Sequence, residues 1–112
     1  MAATVREVAV PEHLRELAAR AVMLTSPEAE DCPAHVKKYV RLGASIRGGQ
    51  ALIAGAQVNA LLEGQANITA DGLRAYLRPA LRHRLVLNFE AGADEITADD
   101  ILRQVDDILK QD

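Results

Sequence analysis

The sequence contains no tryptophan, one phenylalanine and two tyrosines, so aromatic side chains make up only 3% of its 112 residues. A core of such a chain must be assembled from Leu, Val, Ile and Ala, and there are no interleaved aromatics on which nucleic-acid bases could stack. Cysteine is almost absent as well. The lone Cys32 cannot form an internal disulfide, which suits a reducing cytoplasmic setting. No apolar run is long enough to span a bilayer, since the best of them, 51–62, is interrupted by Gln57 and Asn59. No segment reads as a signal peptide, and no membrane association is expected. Nucleotide-binding and hydrolase signatures are also missing: there is no G-x-x-x-x-G-K-[ST], no G-x-G-x-x-G and no G-x-S-x-G. Cys32 and His35 have a metal-like spacing, but two donors fall short of the three or four that a site needs, so no metal is expected.

What is present describes one domain. At 12.1 kDa the chain can remove roughly two-thirds of its unfolded surface from water, enough for a single core but not for two. Hydrophobic residues make up 49% and charged residues 26%, a soluble globular composition. Twenty of the apolar residues are Ala, the best helix former and a poor strand former, which points to an all-α fold.

Four stretches carry the 3.6-residue period of helices with one buried face. The first opens at Pro11, aligns Leu14, Leu17, Ala18, Ala21 and Leu24, and ends before Ser26-Pro27. Residues 28–44 read as a connecting loop with a short extended segment near 36–42. The second helix follows Ser45 and runs to Glu63, with Gly64 as its left-handed cap and with Ile46, Leu52, Ile53, Ala56, Ala60 and Leu61 on its buried face. Gly48, Gly49 and Gly55 lie within it at a cost of about 1 kcal/mol each relative to Ala, which implies close approach by another helix or a ligand. The third helix follows Thr69 and extends to about Arg82, with Leu73, Leu77 and Leu81 at four-residue steps. Residues 85–88 read as extended. The fourth is capped by Thr97, with Asp99 and Asp100 in its first turn and a stripe of Ile101, Leu102, Val105, Ile108 and Leu109. The expected architecture is a small four-helix bundle.

Charge is unevenly distributed. The net charge of −3 hides Arg74, Arg78, Arg82 and Arg84, which occur without an acid in 72–89, and eight acids against Arg103 and Lys110 in 90–112. The first three arginines share one helix face, a pattern that could follow a phosphate backbone. Set against the acidic last helix and the net charge, a solvated or subunit-facing stripe paired with acids is the preferred reading, and nucleic acid is not an expected partner.

The chemically informative segment is Gly43-Ala44-Ser45-Ile46-Arg47-Gly48. A helix start leaves backbone N–H groups free and carries about half a positive charge, to which Arg47 in the first turn adds an always-ionised guanidinium suited to phosphate oxygens. Together with the Ala-rich helix to Gly64, the Asn67-Ile68-Thr69 helix start and Leu81-Arg82-His83-Arg84-Leu85, this segment resembles the carboxy-terminal lid of MoxR-type AAA+ ATPases. The resemblance covers the chain from about Val8 to Leu109.

That resemblance implies that Arg47 matches the sensor-2 arginine reaching the γ-phosphate of ATP, Ser45 the capping position of its helix, and Gly43 the turn before it. His83 and Arg84 match a His-Arg pair with a structural or subunit-contact role. Ile46 stands where the family usually has Pro, leaving the first turn less pre-set. ATP and Mg2+ would be held mainly by an N-terminal α/β ATPase domain, none of whose motifs occur here, so the chain alone should not hydrolyse ATP. The family also implies a homo-oligomeric ring, commonly a hexamer, with chaperone-like work alongside von Willebrand factor A domain proteins. On this reading residues 1–9 are an interdomain linker or cloning remnant, and 10–112 are the α-helical lid. The alternative is a stand-alone helical interaction module.

Overall fold

A computed structural model describes residues 8–111. The four expected helices are there, but the fold holds seven helical segments and one two-stranded sheet among these residues. Helix α1 (Glu12–Leu24) begins after Pro11, whose extended backbone lets the chain turn into the helix, and buries Leu14, Ala18, Ala21 and Leu24. Helix α2 (Ala34–Tyr39) follows Pro33 and corrects the loop expected over 28–44. It was hidden because six residues allow only one apolar pair, Val36 and Tyr39, to reach the core. Strand β1 (Val40–Leu42) is the extended segment expected near 36–42.

Helix α3 (Ile46–Leu62) is the central element and packs against α1 and both halves of the next helical region. Its buried line is Gly48, Leu52, Ala56 and Ala60, at exact four-residue steps. Ile46 was expected on that face, but it is 80% exposed, because the contact line passes through Gly48 two residues later. Gly64 takes φ +71°, the left-handed conformation that ends α3 at no steric cost.

The third expected helix is two: α4 (Ala70–Ala75) and α5 (Leu77–Leu81), parted at Tyr76 with φ −91° and ψ 0°. Pro79 has no N–H to donate to Ala75, which interrupts the ladder at that point. Leu73, Leu77 and Leu81 remain buried across the break. Strand β2 (Val86–Leu87) pairs antiparallel with β1, Val40 opposite Leu87 and Leu42 opposite Val86, with an irregularity between them. Helix α6 (Phe89–Ala93) is a second short helix absent from the sequence reading, capped by the Asn88 side chain accepting from the Ala91 N–H. Helix α7 (Ala98–Lys110) lays Ile101, Leu102, Val105 and Leu109 on α1, α2 and α5.

The chain entering α1 is tied into this body. Ala9 N–H donates to the Ala66 carbonyl at 2.9 Å, Ile68 N–H donates to the Ala9 carbonyl at 3.0 Å, and Val8 is buried. Of the expected linker 1–9, residues 1–7 lie outside the described residues. No helix among the described residues is long and apolar enough to cross a membrane.

Candidate functional site at the start of α3

The segment 43–48 leaves β1 and enters α3 where the C-terminal ends of α1 and α5 converge. Gly43 is required by crowding: a Cβ there would stand 2.6 Å from the Thr25 carbonyl oxygen and 2.9 Å from Ser26 Cα. Ala44 is buried, and its N–H donates to Thr25 Oγ1 at 2.9 Å. Ser45 occupies the N-cap position with extended backbone, and its carbonyl accepts the first helical bond from Gly48 N–H at 2.8 Å. The Ser45 hydroxyl accepts no hydrogen bond from the first turn, so the side-chain cap expected of it is absent. Without it, the N–H groups of the exposed Ile46 and Arg47 are left without a partner among the described residues, while those of Gly48 and Gly49 donate to the Ser45 carbonyl.

Arg47 projects from that first turn, exposed, and makes no hydrogen bond or ion pair among the described residues. Its neighbour Gly48 is where the two sequence motifs meet. A Cβ on Gly48 would stand 2.9 Å from Leu81 Cδ2 and 3.4 Å from Arg84 Cδ, so the Leu-Arg-His-Arg-Leu stretch packs onto the turn that carries Arg47. Arg84 Nε donates to the Ala80 carbonyl at 3.2 Å, which holds its stem there. Gly55 likewise receives the Tyr76 ring and Gly49 approaches Val22, so the α3 glycines serve helix packing inside the domain. Beside the site, an apolar groove of about 280 Å³ lies between α1 and α3, lined by Val22, Met23, Ile46, Gly49 and Ile53.

The other candidates lie elsewhere. A cleft of about 450 Å³ between α4–α5 and α7 contains Arg74, Arg78, Arg82 and Asp106, and two of its three arginines, Arg74 and Arg82, are paired with acids of this chain, while Arg78 is exposed. Arg74 Nε donates to Asp106 Oδ1 at 2.7 Å, and Arg82 Nε and Nη2 donate to Asp99 at 2.9 and 3.1 Å. The Asp106 carboxylate holds the Arg74 guanidinium above its ordinary pKa, chiefly through that hydrogen bond. His35 is engaged by Gln104. Gln104 Nε2 lies 3.0 Å from its Nδ1, and Gln104 Oε1 accepts from its backbone N–H. Among the described residues no group of three or more His, Cys, Asp or Glu side chains could hold a metal ion.

The family model of the AAA lid domain matches residues 33–105, a span from α2 into α7 that includes segment 43–48 and the Leu81–Leu85 stretch packed on it. The chain belongs to the AAA lid domain family. Over 70 residues the lid is 37% identical to the chaperone MoxR1 of Mycobacterium tuberculosis (strain ATCC 25618 / H37Rv), a match covering 62% of this chain and 19% of that protein. Its fold superimposes with a TM-score of 0.85 on the crystal structure of a Cytophaga hutchinsonii protein provisionally described as an ATPase, at 25% identity over 90% of this chain and 31% of the other. The lid thus spans less than a third of either relative. The MoxR-type resemblance and the all-α lid fold expected from the sequence both hold.

Proposed function

We propose that this lid supplies Arg47 as the sensor-2 arginine of a MoxR-type AAA+ ATPase, contacting the γ-phosphate of ATP and coupling nucleotide state to movement of the lid in a chaperone-like ring. The observation that carries the reading is the exposed Arg47 guanidinium, without a partner among the described residues, at the start of α3, where Ser45 makes no side-chain cap. An unpaired guanidinium beside open backbone N–H groups fits a phosphate oxygen in both charge and donor geometry. On this reading Mg2+ and most of the nucleotide would be held by an α/β ATPase domain, whose phosphate-loop motif does not occur in this sequence. The lid's own part is to present a positive charge that is attracted while the terminal phosphate is there and released once it has left. Losing that attraction frees the lid to rotate, a hinge-type change that neighbouring subunits in a homo-oligomeric ring could feel. Partners with a von Willebrand factor A domain fit the same reading.

In the lid joined to its ATPase domain, Arg47→Ala should lower ATP turnover by about tenfold or more, because a charge-assisted contact made to the reacting phosphate is removed. Stability should change by no more than about 0.5 kcal/mol, since the side chain is exposed. Unchanged turnover in that variant defeats the assignment. The 112-residue chain alone should bind ATP only weakly and in a salt-sensitive way, because one helix start and one arginine make a small part of a phosphate site. Micromolar affinity by titration calorimetry contradicts this.

A further inference from the structure

Among the described residues, Thr25 is the one polar side chain of the core, fully shielded from water at the C-terminal end of α1. It is not idle there. Its Oγ1 donates to the Val22 carbonyl at 2.6 Å and accepts the Ala44 N–H at 2.9 Å. A buried hydroxyl satisfied on both sides has a fixed rotamer, so this one joins two points nineteen residues apart in the chain. Next to it, Gly43 passes so close to the Thr25 carbonyl that no side chain could be fitted between them. The segment Gly43-Ala44 is therefore clamped to α1 by one hydrogen bond and one backbone contact, three residues before Arg47. On the other side, the Ala44 methyl and Leu81 crowd Gly48. Ser45, at the cap itself, contributes no side-chain bond. The direction in which α3 starts is consequently set by Thr25 and by the packing at Gly43 and Gly48.

We infer that Thr25 is a positioning residue for Arg47, fixing the first turn of α3 and with it the point from which the Arg47 side chain reaches for its phosphate. This rests on the sensor-2 reading of Arg47. Positioning matters because a contact to a reacting phosphate contributes to the rate only when it is held in geometry before the reaction.

The test uses the lid joined to its ATPase domain and four variants: Thr25→Val, which keeps the shape and removes the hydroxyl, Thr25→Ser, which keeps the hydroxyl, Arg47→Ala, and Thr25→Val with Arg47→Ala. Thr25→Val should lower kcat for ATP by about tenfold, the effect of loosening one hydrogen bond that holds a transition-state contact. ADP affinity should be unchanged, since ADP lacks the phosphate that Arg47 reads. Thr25→Ser should keep activity within about twofold, and Thr25→Val should add almost nothing in the Arg47→Ala background, because residues acting through one contact are not additive. If Thr25→Val slows the enzyme equally with and without Arg47, its role is general to the fold and the inference fails. If Arg47→Ala slows turnover but Thr25→Val does not, the inference fails while the sensor-2 reading stands. If Arg47→Ala has no effect, both fail. Should Thr25→Val not fold, amide exchange in the unaltered chain decides: the Ala44 N–H should exchange as slowly as amides in the middle of α3, and fast exchange overturns the clamp.

Discussion

At the scale of single residues, the glycines of this domain separate sites where a methyl group is excluded from sites where it is merely missing. Gly55 lies under Tyr76, and a Cβ there would stand 2.6 Å from the ring Cδ1 and 3.0 Å from Cγ. Ala would gain about 1 kcal/mol of helix propensity, but overpacking a half-buried ring costs about 1–3 kcal/mol, so the net effect should be destabilising. Gly49 is intermediate, 3.3 Å from a Val22 methyl that can give by a few tenths of an ångström. Gly49→Ala should fall within about 0.5 kcal/mol of the parent, the propensity gain offsetting the squeeze. Gly92 in α6 has nothing within 4 Å of the added carbon, and Gly92→Ala should stabilise by about 0.5–1 kcal/mol. Urea denaturation of the three variants should rank them 92, 49, 55 from most to least stable. Equal stability for Gly55→Ala and Gly92→Ala would show that Tyr76 does not need the gap beneath it.

Among whole elements, α7 has the strongest local start signal. Thr97 Oγ1 accepts the Asp100 N–H at 3.2 Å, while the Asp100 carboxylate accepts the Thr97 N–H and the Thr97 hydroxyl, each at 3.0 Å. These bonds, the backbone one foremost, hold the Asp100 carboxyl below its ordinary pKa of 3.8. A depressed carboxylate pKa stabilises the fold in full above the unfolded value, and that contribution is lost as pH falls through the lower folded value. Asp100→Asn should therefore lower stability at pH 7 and flatten the acid limb below about pH 4. Thermal unfolding of both proteins between pH 7 and pH 2.5 measures this, and identical acid limbs would remove Asp100 from the cause. The same local chemistry explains which elements were legible in sequence. Thr97, Thr69 and Gly64 act within their own turns, so they could be read directly, and the four long apolar stripes followed from period alone. The short helices α2 and α6 have only two buried residues and one, respectively, and distant groups support them, Gln104 and Asn88 on the His35 N–H and the Lys38 carbonyl of α2, and the Tyr39 hydroxyl on Asp94 at the end of α6. The site divides in the same way. Gly43, Ser45 and Arg47 stood together in one motif, whereas Thr25 has meaning only through a contact to Ala44 that no spacing reveals.

For the whole molecule, the net charge of −3 resolves into an arginine face on α4–α5 set against the acidic face of α7, and the two pairs joining them should not be worth the same. Arg74 and Asp106 keep only 21% and 19% of their side-chain surface, and both nitrogens Nε and Nη2 reach the carboxylate. Removing one partner leaves the other partly desolvated, so Asp106→Ala should cost about 1–3 kcal/mol. Arg82 and Asp99 are 42% and 39% exposed, and water screens them, which puts Asp99→Ala below about 1 kcal/mol. Salt separates the two further: raising it from 0.05 to 0.5 M shortens the Debye length from about 14 to 4 Å and should erase most of the Asp99 effect but little of the Asp106 effect. Because these acids hold Arg74 and Arg82, the stripe presents a phosphate backbone with less free charge than its spacing suggests. Chemical denaturation of both aspartate variants at the two salt concentrations, with duplex DNA binding at the lower one, tests the whole arrangement. Equal, salt-insensitive losses would mean that the pairs do not differ in desolvation, and tight DNA binding by the parent chain would mean that the arginines are not engaged by α7.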